Sequence, residues 1–254
     1  MIYQIEITTH CNFKCFYCVG RKMPQRHMER DVFEGILHTI PAGNIVNLQG
    51  EGEPSLHPLF WEFVDQVIGH GCHPFTITNG TLITNATLKP VLKKFPHIGV
   101  SLDSIDESAE SGRYNQKAVL SKIETLAKIA GSGYVTVYIT DYGQEINRLT
   151  QYLEGKGIRY IVQPIQTKPD YIHSALYMAR IDSKLPEVKK KDVVCRFVLH
   201  NSMRYYNVDG VALPCCFIKD TSKFQSIKHL ADTYRKRIVP ECCFGCRELT
   251  IINR

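Results

Sequence analysis

Short apolar segments alternate with longer amphipathic segments along the first two thirds of the chain. The apolar segments are rich in Ile, Val, Thr and Tyr, which is typical of strands in a buried parallel sheet. They predict six strands, at Tyr3–Thr8, Asn44–Leu48, Pro74–Thr78, Ile98–Leu102, Tyr134–Thr140 and Ile158–Gln163. The segments between them repeat their apolar positions with helical periodicity. They predict five helices, at Arg30–Thr39, Pro58–Gly69, Thr84–Lys94, Gln116–Ala130 and Gln144–Gly155.

This alternation indicates the class of the fold. Helices that separate consecutive strands indicate right-handed strand–helix–strand units and a parallel α/β sheet. The pattern is compatible with an open doubly wound sheet and with an incomplete barrel. The alternation ends after Gln163, and six of the ten cysteines lie from Cys195 onward. We therefore expect a core over residues 1–165, a connection over 166–191 and a small cysteine-rich domain over 192–254.

Composition narrows the classes of function. The chain has 254 residues, of which 44% are hydrophobic and 22% are charged, as in a globular protein. The net charge is +6, but Lys and Arg are scattered, so we expect no nucleic-acid partner. No signal peptide or membrane-spanning apolar run is visible, and we expect a cytoplasmic protein. In that reducing compartment the ten cysteines indicate metal or redox chemistry and not disulfides.

Three cysteines follow the first predicted strand directly. Cys11, Cys15 and Cys18 form a C-x-x-x-C-x-x-C motif. A loop this compact can place three thiolates around one iron–sulfur cluster and leave one iron open to a substrate or cofactor. A structural zinc ion is disfavoured, because such an ion takes four protein ligands and no fourth one is nearby. The motif therefore predicts a cluster with an open iron.

The segment from Cys11 to Cys18, with the aromatic Tyr17 before its third cysteine, resembles the signature of the radical S-adenosylmethionine (SAM) family. The resemblance implies a partial (β/α)6 TIM-type barrel, a 4Fe-4S cluster on the three cysteines and SAM at its open iron. It also implies that SAM contacts lie near the strand ends, with Glu53 at the SAM amino group. The candidate cofactor-binding residues are Tyr17, Gly52, Glu53, Pro54, Asn79, Ser101 and Gln163. Asp103 is a candidate catalytic residue or, equally, a helix cap.

A second set of cysteines lies near the end of the chain. Asp209-Gly210 predicts a hairpin between Tyr205–Val208 and Val211–Leu213. The expected metal ligands around it are Cys195, Cys215, Cys243 and Cys246. Their spacing alone leaves zinc and an iron–sulfur cluster equally open.

The arrangement resembles the twitch domain, a shortened form of the SPASM extension of radical SAM enzymes. A similar architecture occurs in the aminocyclitol dehydrogenase of aminoglycoside biosynthesis. The resemblance implies an auxiliary 4Fe-4S cluster. Cys216 and Cys242 adjoin expected ligands, so the ligand assignment stays open by one position at each.

The resemblance also implies a reaction. SAM would be cleaved reductively to a deoxyadenosyl radical, which removes a hydrogen atom from a small-molecule or peptide substrate. Electron transfer to the auxiliary cluster would then give dehydrogenation or crosslinking. A flavodoxin- or ferredoxin-type electron donor is expected.

Two alternatives stay open. The first is a redox-neutral peptide epimerase or maturase in which Cys216 or Cys242 donates a hydrogen atom, with a possible separate peptide-recognition protein. The second is a non-catalytic iron–sulfur or zinc binding module. A SAM-amine site at Glu53 would distinguish the enzymes from the binding module.

Overall fold

The computed structural model describes residues 1–107, 111–181 and 193–251 of the chain. Within these ranges, no helix is both long and apolar enough to cross a membrane. The strands are β1 (Ile2–Ile5), β2 (Ile45–Leu48), β3 (His73–Phe75), β4 (Ile77–Thr78), β5 (Ile98–Ser101), β6 (Val135–Asp141), β7 (Arg159–Pro164), β8 (Val193–Cys195), β9 (Met203–Tyr206), β10 (Ala212–Leu213) and β11 (Leu249–Ile251). The α-helices are α1 (Arg30–His38), α2 (Phe60–Gly69), α3 (Leu88–Lys94), α4 (Gln116–Ala130), α5 (Asn147–Gly155), α6 (Ala175–Arg180), α7 (Arg196–His200) and α8 (Ile227–Arg235).

Parallel pairing builds the wall of a partial barrel. β1, β2 and β3 pair in that order, and β4, β5, β6 and β7 continue the order in a second sheet. The predicted strand over Pro74–Thr78 is divided at Thr76. The Thr76 hydroxyl donates to the Leu48 carbonyl at 2.7 Å, and its carbonyl accepts from the Gly99 N–H at 2.9 Å. Thr76 thus joins the two sheets, and the predicted α/β barrel fold is confirmed.

The five predicted helices are present, but three begin later than predicted, and α2 begins at Phe60 and not at Pro58. α3 begins at Leu88 and not at Thr84, because the Thr84 and Thr87 hydroxyls bond each other and the loop backbone. Such local bonds compete with the helical ladder. α5 begins at Asn147, whose N–H donates to the Glu145 carboxylate. The core lies between the helices and the wall, where Phe33 of α1 stacks on Phe63 of α2 at 3.9 Å between ring centroids.

The cysteine-rich part of the chain adds a strand to the wall. β9 pairs in parallel with β1, and β10 returns antiparallel to β9. The predicted hairpin is therefore present, although its turn is longer than predicted. The Asn207 side chain accepts from the N–H groups of Asp209 and Val211 within that turn. β8 and β11 form a separate antiparallel pair. The expected boundary between residues 191 and 192 lies outside the described residues.

Candidate active site

The loop with the first three cysteines is held by a second loop, which follows β5. The Phe16 N–H donates to the Ser111 carbonyl at 3.0 Å, and the Lys14 N–H donates to the Gly112 carbonyl at 3.4 Å. Gly112 has a φ of +75°, and a Cβ atom there would lie 2.3 Å from the Lys14 carbonyl oxygen. Glycine is therefore required at this contact, because it alone allows both the conformation and the close approach.

The three thiols lie in surroundings that favour their protonated form when no metal is bound. Burial raises the pKa of Cys11, Cys15 and Cys18. The Cys18 thiol also lies 3.3 Å from a Glu51 carboxylate oxygen, and this negative charge raises its pKa further. Metal binding deprotonates such ligands, since the metal charge outweighs these effects.

All three cysteines line one cavity of about 300 Å³ at the carboxyl ends of the barrel strands. This volume is at the lower end of the range for small-molecule sites. Six of the seven candidate cofactor-binding residues also line it, namely Tyr17, Gly52, Glu53, Asn79, Ser101 and Gln163. Pro54 does not line it and instead begins a short 3-10 helix over Pro54–Leu56. The three thiols on the cavity wall fit a cluster that faces a small ligand.

Glu53 joins the cysteine loop to the ends of two strands. Its N–H donates to the His10 carbonyl at 2.8 Å. One carboxylate oxygen accepts from the Ser55 and Thr78 hydroxyls, and the other accepts from the Asn79 N–H at 2.7 Å. Burial raises the pKa of Glu53, and these hydrogen bonds act in the opposite direction. The donors all face the carboxylate, so they fix its orientation toward the cavity rim.

Gly52 allows the Glu53 segment to approach the cysteine loop. A Cβ atom at Gly52 would lie 2.5 Å from the Thr8 carbonyl oxygen and 2.6 Å from that of His10. No side chain fits at that distance without a shift of the backbone.

Asp103 holds side chains and does not cap a helix. It is fully buried, and one of its carboxylate oxygens accepts from the Tyr17 hydroxyl and lies 2.8 Å from Arg113 Nε. The other oxygen accepts from the Thr140 N–H at 2.9 Å. Asp103 itself does not line the cavity, so it can act there only through Tyr17 and Arg113, which do.

Arg113 is a site residue that the sequence patterns did not reveal. Burial opposes its charge, but the Asp103 carboxylate together with Tyr17 and Cys15 outweighs burial, and the pKa of Arg113 is raised. Its Nη1 is buried and has no hydrogen-bond partner among the residues that the structure describes. Arg113 therefore presents a charged donor at the cavity, and it belongs to no recognisable motif.

The cysteine-rich part of the chain closes another side of the same cavity. Phe217 and Arg247 line it, together with Gln166 and Tyr171 from the connection. The side-chain oxygen Oε1 of Gln166 accepts from the N–H groups of Thr167 and Arg247, which fixes the side-chain amide. Its Nε2 is buried and unpaired within the described part of the chain. None of these positions carries a sequence signal.

The C-terminal cysteines surround a second, much smaller cavity. Five of them line it, namely Cys195, Cys215, Cys242, Cys243 and Cys246. Burial raises the pKa of Cys195 and Cys215, whereas a hydrogen bond from Cys243 lowers the pKa of Cys242. In the described residues, no three His, Cys, Asp or Glu side chains converge closely enough to hold a single metal ion. A set of this many thiols has the donor chemistry of an iron–sulfur or zinc site.

The two additional thiols differ in position. Cys216 does not line the small cavity; burial raises its pKa to about 12, the charge of Lys219 acts to lower it and that of Glu51 acts to raise it. Cys242 lines the small cavity, and its Sγ lies 3.9 Å from that of Cys243. Neither Cys216 nor Cys242 is among the described residues that line the large cavity. Their role as hydrogen donors stays a prediction.

Comparison with known proteins identifies the family. The model of the radical SAM superfamily matches residues 5–171. The chain belongs to the radical SAM superfamily. The resemblance of the Cys11–Cys18 segment to this family is thereby confirmed, and the family implies SAM and one 4Fe-4S cluster as cofactors. It is a family of enzymes, and the non-catalytic binding module is accordingly disfavoured.

Two relatives and one solved structure illustrate the similarity. The chain is 24% identical over 252 residues to the tungsten-containing aldehyde ferredoxin oxidoreductase cofactor-modifying protein of Pyrococcus furiosus. This alignment covers 83% of this chain and 69% of the relative. It is 31% identical over 145 residues to the S-adenosylmethionine-dependent nucleotide dehydratase of Selenomonas ruminantium, and this alignment covers 53% of each chain. The crystal structure of Streptococcus suis SuiB bound to S-adenosylmethionine superposes on this chain with a TM-score of 0.67 at 13% sequence identity. The superposition covers 92% of this chain and 65% of the SuiB chain. That likeness concerns the fold alone.

Proposed function

We propose that this radical SAM protein abstracts a hydrogen atom from its substrate and passes one electron to an auxiliary cluster at the C-terminal cysteines. One observation carries the proposal: Phe217 lines both the large cavity and the small cavity of the C-terminal cysteines. Cys11, Cys15 and Cys18 line one side of the large cavity. Phe217 and Arg247, which line another side, directly follow Cys216 and Cys246 in the chain. A substrate in this cavity would lie against Phe217, which also lines the small cavity.

The residues of the first site have different proposed roles in binding the cluster and SAM. Cys11, Cys15 and Cys18 would hold the cluster, which together with SAM would supply the chemistry of hydrogen-atom abstraction. The unpaired Nη1 of Arg113 is suited to a carboxylate such as that of the methionyl group. Glu53 fixes the loop that receives the amino group. Tyr17 and Asp103 hold Arg113, whereas Asn79, Ser101 and Gln163 line the remaining wall toward the nucleoside.

The second site would take four thiolates and thus have no open position. Cys195, Cys215 and Cys246 are three of its ligands, and Cys243 is the fourth in preference to its neighbour Cys242. Because a fully ligated cluster has no iron free to bind substrate, its simplest role is to accept an electron. The product is then oxidised, by dehydrogenation or crosslinking. The twitch/SPASM-like division into residues 1–165, 166–191 and 192–254 forms part of this proposal.

The substrate is proposed to carry anionic or carbonyl oxygens. Arg113, Arg247 and Gln166 line the cavity, and one side-chain nitrogen each of Arg113 and Gln166 is unpaired in the described structure. The name of the Selenomonas relative specifies a nucleotide, and SuiB is also known bound to its precursor peptide SuiA. Both a small molecule and a peptide carry such oxygens. A peptide substrate would call for a separate recognition protein, and either substrate would call for a flavodoxin- or ferredoxin-type reductant.

Metal analysis tests the proposal directly. The protein is purified without oxygen and reconstituted, and iron, sulfide and zinc are measured per chain beside a variant with Cys11, Cys15 and Cys18 changed to Ala. We expect about eight irons in the parent and about four in the variant. Only the parent should form deoxyadenosine from SAM. Cys72→Ala is the matched control, because Cys72 is a buried thiol that lines neither cavity.

Two outcomes would count against parts of the proposal. About four irons and one zinc in the parent, with zinc alone left in the triple variant, would remove the auxiliary electron acceptor. A redox-neutral reaction such as epimerisation would then be favoured. Deoxyadenosine formation by the triple variant would contradict the assignment of the first site.

A further inference from the structure

A buried lysine from the connection lies beside the C-terminal cysteines. Lys168 follows β7 by four residues, and its side chain is only 4% exposed. Its Nζ donates to the Phe217 carbonyl at 2.5 Å and lies 3.1 Å from an Asp170 carboxylate oxygen. Phe217 is two residues after Cys215. Lys168 thus ties the connection to the loop that supplies a proposed ligand.

Lys168 lines the small cavity together with the five cysteines. The other charged residue that lines this cavity is Glu248, and it is paired with Arg196 at 2.6 Å. The Asp170 side chain is 31% exposed, so water screens much of its charge. The Lys168 ammonium is therefore a buried positive charge whose ion partner is only partly buried.

A buried ammonium is costly unless a negative charge compensates it. Four thiolates on a 4Fe-4S cluster would give a net charge of roughly −2 in the oxidised state and one more negative on reduction. A nearby buried cation stabilises the reduced state more than the oxidised state, because the Coulomb attraction grows with cluster charge. Such a cation raises the reduction potential of the cluster.

We infer that Lys168 is the charge-compensating and positioning residue of the auxiliary site, and that it makes the cluster there a better electron acceptor. This inference rests on the proposed function, because it needs a cluster at that site. It assigns to the connection a role in the chemistry of the C-terminal cysteines. Lys168 lies outside both cysteine motifs, and neither motif predicts a residue with this role.

A redox titration followed by electron paramagnetic resonance tests the inference. It is done in the Cys11/Cys15/Cys18→Ala background, where the auxiliary cluster gives the whole signal. Lys168→Gln removes the charge and keeps a donor for the Phe217 carbonyl, whereas Lys168→Arg keeps the charge. We expect Lys168→Gln to shift the midpoint potential to a more negative value and Lys168→Arg to leave it close to that of the background. Lys223→Gln is the matched control, because Lys223 is 45% exposed and paired with Glu241.

The metal content separates the possible outcomes. An unchanged potential in Lys168→Gln, with about four irons retained, would overturn the inference while leaving the proposed function intact. Loss of the cluster in Lys168→Gln but not in Lys168→Arg would support a need for the charge. Loss of the cluster in both variants would show that the shape of the lysine side chain, and not its charge, is required, and would overturn the inference. Zinc in the background variant would reject the auxiliary cluster and this inference together, before any potential is measured.

Discussion

Lys219 Nζ lies 2.6 Å from Glu51 Oε1, and this ion pair joins the C-terminal part of the chain to the loop that follows β2. Lys219 is three residues after Cys216, and the second carboxylate oxygen of Glu51 lies 3.3 Å from the Cys18 thiol. The side chains of Lys219 and Glu51 are only 7% and 18% exposed. The Glu51 carboxylate thus contacts both Lys219 and a proposed cluster ligand, Cys18.

Removal of Lys219 should destabilise the protein strongly. Lys219→Met leaves the Glu51 charge buried, and breaking a buried pair in this way costs about 3–5 kcal/mol. The free energy of unfolding is measured by guanidinium denaturation under anaerobic conditions. Lys223→Met breaks an exposed pair and should cost less than about 1 kcal/mol. Adding Glu51→Gln to Lys219→Met should restore part of the lost free energy of unfolding. Equal losses in Lys219→Met and Lys223→Met would contradict a stabilising buried pair.

Gly52→Ala should impair the first site. The added methyl would meet the Thr8 and His10 carbonyl oxygens at about 2.5 Å, so the backbone of the cysteine loop must move. We expect reduced iron incorporation at this loop and weaker SAM binding, measured by metal analysis and by equilibrium dialysis. Gly35→Ala in α1 is the control, because a Cβ atom there meets nothing within 4 Å. It should raise stability by roughly 0.5–1 kcal/mol, and a similar loss of iron in both variants would contradict the steric argument.

The part of the fold that follows from local periodicity could be predicted from the sequence. The six strands and five helices of the core have repeating apolar positions, and the three-cysteine motif identifies the first site. The interruption at Thr76 could not be predicted, because it depends on a bond to Leu48 in another strand. Nor could the pairing of β9 with β1, which joins residues about 200 positions apart.

Three charged residues in and near the two cysteine sites could not be predicted either, because their contacts also join distant parts of the sequence. Arg113, Lys168 and Lys219 belong to no motif, and each gains its place from a distant contact, with Asp103, Phe217 and Glu51 respectively. Asp103 was singled out as a catalytic residue or a helix cap. In the structure it holds Tyr17 and Arg113 instead, and a sequence pattern does not encode such a contact.

Arg113 should contribute to SAM affinity. Arg113→Gln removes a charged donor from the cavity, and a hydrogen bond to a charged group contributes about 1.5–3 kcal/mol. The dissociation constant for SAM should therefore rise about 10- to 150-fold, as measured by equilibrium dialysis with reconstituted protein. Arg148→Gln is the control, because Arg148 is exposed and pairs with Asp106 away from the cavity. Unchanged SAM affinity in Arg113→Gln, with iron retained, would instead favour a substrate contact for this residue.

His57 should make stability depend on pH. Burial lowers the pKa of His57, whose Nε2 donates to the Met28 carbonyl and whose Nδ1 accepts from the Leu59 N–H. The unfolded chain therefore takes up a proton at a higher pH than the folded chain does. The stability that neutral His57 contributes is present above its unfolded pKa of about 6.5 and is lost as the pH falls toward its folded pKa.

The measurement for His57 is guanidinium denaturation at a series of pH values from about 7.5 to about 5.5. His57→Gln should be less stable than the parent at the upper end of the series, and its stability should change less as the pH falls. His229→Gln, which changes an exposed histidine in α8, should keep the pH dependence of the parent. A parent-like pH dependence in His57→Gln would show that other groups cause it.

Serine variants should decide which of the adjacent cysteines binds the auxiliary cluster. Cys215 lines the small cavity with four other cysteines, whereas Cys216 lies near Lys219 and Glu51 and lines neither cavity. In the Cys11/Cys15/Cys18→Ala background, Cys215→Ser should therefore lose most of the remaining iron, about four per chain, and Cys216→Ser should keep it. The opposite result would exchange the two assignments and place the cluster nearer to the Lys219–Glu51 pair. Equal retention in both variants would mean that either thiol can serve, which the separation of their surroundings argues against.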